Sequence, residues 1–185
     1  RPRIVEWDQL STKCVMVYDD SYAVLTYYPD FKIESYIKEK VETVKWWNGT
    51  LFVATQSEIK CIFPVRQQLY SVELASFDIT HYSESSMGHD EDSLDPIPQP
   101  RPKGALSFVD VVGDILYVID TNCTLHTLSV DTPSLKFRLL VSSNLVGKAL
   151  SWIPYIPQEL HDYCADFLVA HGHSEYACQI DTMTP

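Results

Sequence analysis

The sequence predicts a mainly β chain with an α-helical C-terminus, and three observations carry that reading. The first is the stretch 44–63, VKWWNGTLFVATQSEIKCIF, which divides into three short strands. Val44-Lys45-Trp46 is one strand. Asn48-Gly49 then turns the chain, as this dipeptide does in tight hairpins whose two central residues need positive φ. Residues 50–54 form a second apolar run. Gln56-Ser57 is a polar break, and 58–63 alternates with Ile59, Cys61 and Phe63 on one face.

The second observation is that this unit recurs. Val5-Glu6-Trp7 matches Val44-Lys45-Trp46, 39 residues on, from 7 to 46. A third copy, Val111-Val112-Gly113-Asp114-Ile115-Leu116-Tyr117-Val118, sets Gly113-Asp114 against Asn48-Gly49, read as one residue out of register. Leu116-Tyr117-Val118 falls where Leu51-Phe52-Val53 stood, 65 residues earlier, and the excess spacing matches an insertion around 83–103. A period of about 40–45 residues with four short strands per unit is the signature of WD40-like β-propeller blades. No Gly-His or Trp-Asp dipeptide stands at the expected blade positions, and Trp7-Asp8 opens a unit instead of closing one. An antiparallel sandwich with a coincidental Val-x-Trp pair is the competing architecture. The third observation is a change of period after Val130, from alternation to helical spacing.

In chain order, the first unit has strands at 3–7, 13–18, 22–27 and 31–37. Asp19-Asp20-Ser21 separates the middle pair, and Tyr28-Pro29-Asp30 turns into the last. That last strand sets Phe31, Ile33, Ser35 and Ile37 on one face. The second unit spans about 40–81, with an outer strand at 68–75 that alternates Leu69, Ser71, Glu73 against Tyr70, Val72, Leu74. Residues 83–103, SESSMGHDEDSLDPIPQPRPK, carry five acids and four prolines and few large apolar residues. Such a segment cannot bury enough apolar surface to offset its ordering entropy, so a disordered loop is expected. Its prolines alternate at 96, 98, 100 and 102, which gives no P-x-x-P ligand. The third unit has strands at 105–112, 115–120 and 124–130.

Beyond it, Asp131-Thr132-Pro133 reads as an N-cap with proline in the first helical turn. Residues 135–139, LKFRL, alternate like a strand as well. Asn144 is expected to cap a helix carrying Leu145, Val146, Ala149, Leu150 and Ile153 and ended by Pro154. Residues 157–171 place Leu160, Tyr163, Cys164, Phe167, Leu168 and His171 on one helical face, with Gly172 as terminator. Ser174 is read as the next cap, with Tyr176, Ala177 and Ile180 inward. Short helices joined by tight turns predict the start of an α-solenoid, each pair burying its apolar face on its neighbours. The expected division is 1–131 for the last propeller blades and 132–185 for the solenoid.

With 185 residues, 45% hydrophobic and 21% charged, the chain is globular in class and long enough for an ordinary core. No apolar run approaches the ~20 residues of a membrane span, and no secretory leader is read. With no methionine before Arg1 and a helical pattern still under way near Pro185, the expectation is a piece of a longer chain. The net charge of −11 argues against nucleic acid, which needs clustered Lys and Arg. It argues equally against docking on anionic lipid, since no polybasic segment exists. Of the five cysteines, Cys14, Cys61, Cys123, Cys164 and Cys178, the first three fall in expected strands or at their edges without metal-type spacing, and buried, reduced thiols of a cytosolic protein are the simplest reading. Asn48 and Asn122 match the glycosylation sequon, yet each falls in a tight turn whose chemistry explains it.

The residues offer little catalysis. His161, Cys164, His171, His173 and Cys178 form the one His/Cys cluster. His161 and Cys164 stand i, i+3 on a helix, but Cys164 lies on the packing stripe and the rest mark a helix end, so no metal site is assigned. Neither a G-x-S-x-G elbow nor a phosphate-binding G-x-x-x-x-G-K-[ST] loop is present. Asp19-Asp20 and Asp90-Glu91-Asp92 are read as solvated turns. Trp46-Trp47 is a packing pair, one ring inward and the other at a surface or interface. No catalytic, cofactor-binding or metal-ligating residue is assigned, and no cofactor.

A family resemblance completes the reading. The tail HDYCADFLVAHGHSEYACQIDTMTP resembles the first solenoid helices of alpha and beta-prime coatomer subunits, and GDILYVIDTNCTLHTLSVDTPSLKFRLL resembles their last blade and exit helix. That likeness implies helix at Leu135. The segments VEWDQLSTKCVMVY, LFVATQSEIKCIF, YSVELASF and GDILYVID are closer still to the WD-repeat, TTRAY-type subunits of the TSET coat, called the TPLATE complex in plants. The resemblance implies the end of a second propeller, then a solenoid, in a non-enzymatic scaffold of a vesicle coat acting in endocytosis. It implies adaptin-like large, medium and small chains and a second WD-repeat subunit as partners, with indirect membrane contact and neither nucleic acid nor small-molecule substrate. Its implied place is cytoplasmic, peripheral on plasma or Golgi/endosomal membranes. In coatomer the dilysine pocket belongs to the first propeller, so no cargo-binding residue carries over. The alternatives are a coatomer subunit in Golgi–ER retrograde transport, a free-standing propeller enzyme or ligand-binding module, and another propeller–solenoid regulator.

Overall fold

The computed structural model describes residues 1–65, 68–76 and 104–180. The expected insertion at 83–103 lies outside them. The described chain forms three antiparallel sheets followed by four short α-helices. The first sheet runs in chain order through β1 (Ile4–Trp7), β2 (Lys13–Val17), β3 (Tyr22–Thr26) and β4 (Lys32–Ile37). The second repeats that order with β5 (Thr43–Trp47), β6 (Thr50–Ala54), β7 (Glu58–Val65) and β8 (Gln68–Ser76). The third has β9 (Ser107–Val112), β10 (Ile115–Ile119) and β11 (Leu125–Ser129).

The turns form where the sequence supplies their chemistry. Asn48 and Gly49 both take positive φ, 46° and 74°, and Trp47 pairs directly with Thr50 across them. Gly113, φ 62°, opens the β9–β10 turn, with Val112 paired to Ile115. The two-residue loops therefore correspond one to one at the 65-residue offset, and the expected slip of one residue at Gly113-Asp114 is corrected. The longer β1–β2 loop is held by Asp8, whose Oδ1 accepts from the Thr12 and Lys13 amides at 2.6 and 3.0 Å.

The sheets stack face to face, with β1 beside β5 and β5 beside β9. One core joins Val15, Val17, Tyr22 and Val24 of the first sheet to Val44, Trp46, Leu51, Val53 and Ile62 of the second. A larger core joins the opposite face of the second sheet (Phe52, Ala54, Ile59, Cys61, Phe63) to Leu116 and Val118 of the third and to the helices. The strands β6 and β7 are buried on both faces because each face meets a different neighbour.

In β4 the register shifts between Val24 and Leu25, leaving Glu34 as the extra residue. An extra residue reverses the side-chain alternation. Ile33 therefore shares the outer face with Tyr36, while Ser35 and Ile37 point inward, and the expected single face of Phe31, Ile33, Ser35 and Ile37 is corrected.

Residues 133–142 are helical, as the resemblance implied. Helix α1 (Pro133–Ser142) has Thr132 as N-cap, its hydroxyl accepting from the Leu135 amide, and proline in its first turn. Helices α2 (Val146–Leu150), α3 (His161–Ala170) and α4 (Ser174–Ala177) follow. Asn144 does not cap α2. It sits at φ 59° and closes α1 instead: its amide donates to the Val141 carbonyl and the Leu145 amide to that of Leu140. That pair of bonds is the Schellman pattern, with asparagine in the left-handed seat. Gly172, φ 88°, ends α3 in the same way, with Gly172 bonding Val169 and His173 bonding Leu168. Ser174 is the first helical residue of α4, with His173 before it as the cap residue and no side-chain cap bond. On α3, Cys164, Phe167 and Leu168 are buried, but Tyr163 is 59% exposed. Residues 158–160 form a separate 3-10 turn, which breaks the continuous face expected from Leu160 to His171.

Candidate interaction surfaces

The side chains that carry chemistry are spread over the molecule and mostly serve the fold. His161 is buried at the start of α3, its Nε2 3.0 Å from the Ile156 carbonyl. Cys164, one turn on, is fully buried, and burial pushes its thiol up to about 11. His171 tilts over the Phe167 ring at 4.6 Å, and His173 meets Tyr176 edge-on. Cys178 is exposed, as is Cys123, which takes φ 59° in the β10–β11 turn. The expectation of buried thiols is thus corrected for these two, because each lies in a turn that no neighbour covers. Among the described residues, no three His, Cys, Asp or Glu side chains form a group able to hold a metal. Asp19 stands in an exposed turn at the edge of Arg3, and residues 90–92 lie outside the described segments.

Three buried or half-buried polar groups stiffen the hairpins and the joints between sheets. Asp120 is 7% exposed. Its Oδ1 accepts from the Asn122 and Thr124 amides at 2.9 and 3.0 Å, and its Oδ2 lies 3.0 Å from His126 Nε2. Lys60 reaches Glu39 at 2.6 Å and Glu58 at 2.8 Å. Burial works against its charge, but hydrogen bonds and charges from the two glutamates hold its pKa above the ordinary value. Beside them the Tyr22 phenol is raised by burial first and by Glu39 and Glu58 next. Arg138 on α1 is buried, donates from Nη1 to the Ser71 carbonyl at 3.3 Å, and stands over the Phe167 ring at 5.3 Å. Burial lowers its pKa.

Two hollows accompany these groups. One, about 390 Å³, lies between β4 and β8 and is lined by Ile37, Ile62 and Leu69 together with Lys60 and Glu39. The other, about 220 Å³, lies where the second sheet meets the ends of α1 and α3, lined by Lys13, Asn48, Ser142, Ser143 and His171.

The surface is more informative. Register places Val5, Trp7, Cys14, Met16, Ala23, Leu25, Ile33 and Tyr36 on the outer face of the first sheet. Every one is apolar or aromatic. Cys14, Ala23 and Leu25 are buried at its centre, ringed by exposed Val5, Trp7, Ile33 and Tyr36. At one end of this sheet Leu10, Tyr27, Tyr28 and Phe31 are exposed as well, and Tyr27 meets Trp7 edge-on at 5.7 Å. The third sheet exposes Val112, Ile115 and Leu125 on the face turned away from the second. Trp46 and Trp47, read from sequence as one inward and one at an interface, face different neighbours. Trp46 is buried against the first sheet, and half-buried Trp47 packs on Phe52 on the side of the third. Sequence reasoning treated Val5 and Trp7 as equivalents of buried Val44 and Trp46 and missed their exposure. The available signal was the run of apolar residues on both faces of β2 and β3. Among the described residues, no helix is long and apolar enough to cross a membrane.

No family model matches the chain. It is similar to a protein described as TSET complex member tstF of Dictyostelium discoideum, 25% identical over 190 residues. The match covers 97% of this chain, so sheets and helices are aligned together, and the chain spans 17% of that relative's length.

Proposed function

We propose that this chain is part of a structural scaffold subunit of a TSET-like vesicle-coat or adaptor complex, acting through protein–protein contact in endocytic membrane traffic. The observation that carries the reading is the likeness to a TSET complex member along 97% of the chain. It supports a TSET-related subunit of a multi-subunit assembly. The finer architecture belongs to the proposal: residues 1–131 are blades of a WD40-like propeller and 132–185 begin an α-solenoid. Antiparallel meanders in chain order, stacked with their first strands adjacent, are what blades require. Helices α1 and α3 share a core with the second and third sheets, so the solenoid would leave the blades at a fixed angle. A rigid joint of this kind suits a scaffold that must hold partners at set distances.

In this reading the chain is not an enzyme and binds no cofactor. Its partners are adaptin-like large, medium and small chains and a second WD-repeat subunit, and it meets the membrane through them. It works on the cytoplasmic side, peripheral to plasma or Golgi/endosomal membranes. The test is affinity purification of the protein from its own cells with mass spectrometry of what copurifies. Adaptin-like chains without the Golgi coatomer set are expected. Recovery of coatomer would move the protein to retrograde transport, and recovery of neither would remove the coat reading.

A further inference from the structure

We propose that the outer face of the first sheet is the seat of a further four-stranded sheet of the same repeat, supplied by the same polypeptide. The inference rests on the reading of the sheets as repeated blades and adds the residues that receive the next one.

An antiparallel sheet with one face to solvent normally alternates apolar inside with polar outside. The first sheet does not. Its inner face packs on the second sheet, yet its outer face carries Val5, Trp7, Met16, Leu25, Ile33 and Tyr36. A contiguous apolar face of this kind marks an interaction site.

The repeat identifies the occupant. Val44 and Trp46 hold the positions in β5 that Val5 and Trp7 hold in β1. In the second sheet they are 6% and 3% exposed, because they sit on the inner face of the first sheet; Val5 and Trp7 are 45% and 44% exposed. Residue type and strand position are the same, and only the neighbour differs. The stack is also heterologous throughout. The Val44/Trp46 face of the second sheet meets the Val15/Val24 face of the first, and the Phe52/Cys61 face of the second meets the Leu116/Val118 face of the third. Head-to-tail contacts of one kind leave an unmatched face at each end of the stack unless they close into a ring. The face that fits Val5 and Trp7 is therefore the opposite face of another such sheet. The matched relative is several times longer than this chain, which is length enough for additional units.

One polar contact sharpens the assignment. The Trp46 indole N–H donates to the Glu6 carbonyl on β1 at 3.2 Å. By the same equivalence, the Trp7 indole donates to a carbonyl on the first strand of the incoming sheet.

Hydroxyl-radical footprinting read by mass spectrometry tests this on the protein as its own cells make it, stripped of other subunits and monomeric by size exclusion. Trp7 and Tyr36 are expected to be modified as slowly as Trp46, with exposed Tyr155 as the fast reference. Trp7 and Tyr36 reacting as fast as Tyr155 overturns the proposal. Protection that appears only in a homodimer assigns the face to a second copy, and protection only with other subunits assigns it to a partner; either result overturns it too. Exposed Trp7 with coat subunits copurifying sinks the seat alone, whereas protected Trp7 without them sinks the coat assignment alone.

Discussion

The indole nitrogen of Trp46 lies 3.2 Å from the carbonyl oxygen of Glu6, 40 residues earlier in the chain, and pins the second sheet to the first strand of the first. Two further bonds repeat the device. The Arg3 guanidinium donates to the Val41 carbonyl at 2.5 Å, and the Leu106 amide to the Glu42 carboxylate at 2.8 Å, tying the third unit to the second. Replacing Trp46 by Phe keeps most of the ring but leaves the Glu6 carbonyl without this donor. The expected loss is about 1–3 kcal/mol, and Trp46→Ala, which also opens a cavity, should cost about 3–5 kcal/mol. Urea unfolding of the two variants checks the order. Equal losses would mean that the cavity adds nothing beyond the lost bond, and an unchanged Trp46→Phe would mean that the hydrogen bond contributes nothing.

Phe167 joins the helices to the second sheet. Its ring meets Phe63 edge-on at 5.5 Å and Tyr70 at 5.1 Å, with the Arg138 guanidinium above it. An unpaired carboxylate in that fully buried position should cost about 3–5 kcal/mol, so Phe167→Asp is expected to free the helices from the sheets and to lower recovery of partner subunits in pull-downs. Tyr163→Asp, one turn back but exposed, is the control and should leave both unchanged. Partner recovery that survives Phe167→Asp would show that assembly does not depend on this joint.

Asn144 occupies a left-handed seat that only glycine and a few polar residues tolerate. Asn144→Ala should lower stability by about 1 kcal/mol, while Asn144→Gly should hold it or raise it slightly. Thermal unfolding distinguishes the two. Equal melting temperatures for all three proteins would show that the turn between α1 and α2 adds nothing to global stability.

The buried thiols make stability depend on alkaline pH. Burial pushes the Cys61 thiol from its ordinary 9.0 up to about 12 and that of Cys164 to about 11. The unfolded chain releases these protons first. Their contribution is therefore fully present below pH 9 and is lost as pH rises towards 11–12. Cys61→Ala combined with Cys164→Ala should flatten that alkaline fall, read from urea midpoints across the window, even though the variant is less stable at neutral pH. In native protein, alkylation should reach exposed Cys123 and Cys178 before Cys61 and Cys164.

Much of the fold was legible because its signals are local. Alternation in 58–63, the Asn48-Gly49 turn, Thr132-Pro133 at a helix start and Gly172 at a helix end each depend on φ, ψ and hydrogen bonds within a few residues. Those preferences belong to the residues themselves. The recurrence of Val-x-Trp was legible for the same reason, since equivalent strands carry equivalent residues.

What tertiary structure decided is which surfaces meet. The sequence alone determined the strands, most of the turn residues and the equivalence of Trp7 with Trp46, and left 135–139 readable as strand or helix until the family likeness favoured helix. It could not say that Trp46 is sealed between sheets while Trp7 stands open, that Glu34 bulges and turns Ile33 outward, or that Asn144 ends one helix instead of starting the next. Burial is a property of the neighbour as much as of the residue. A single extra residue in β4 reverses every side chain beyond it, because the strand period is two. Local chemistry writes the elements, and long-range packing chooses the faces on which they are used.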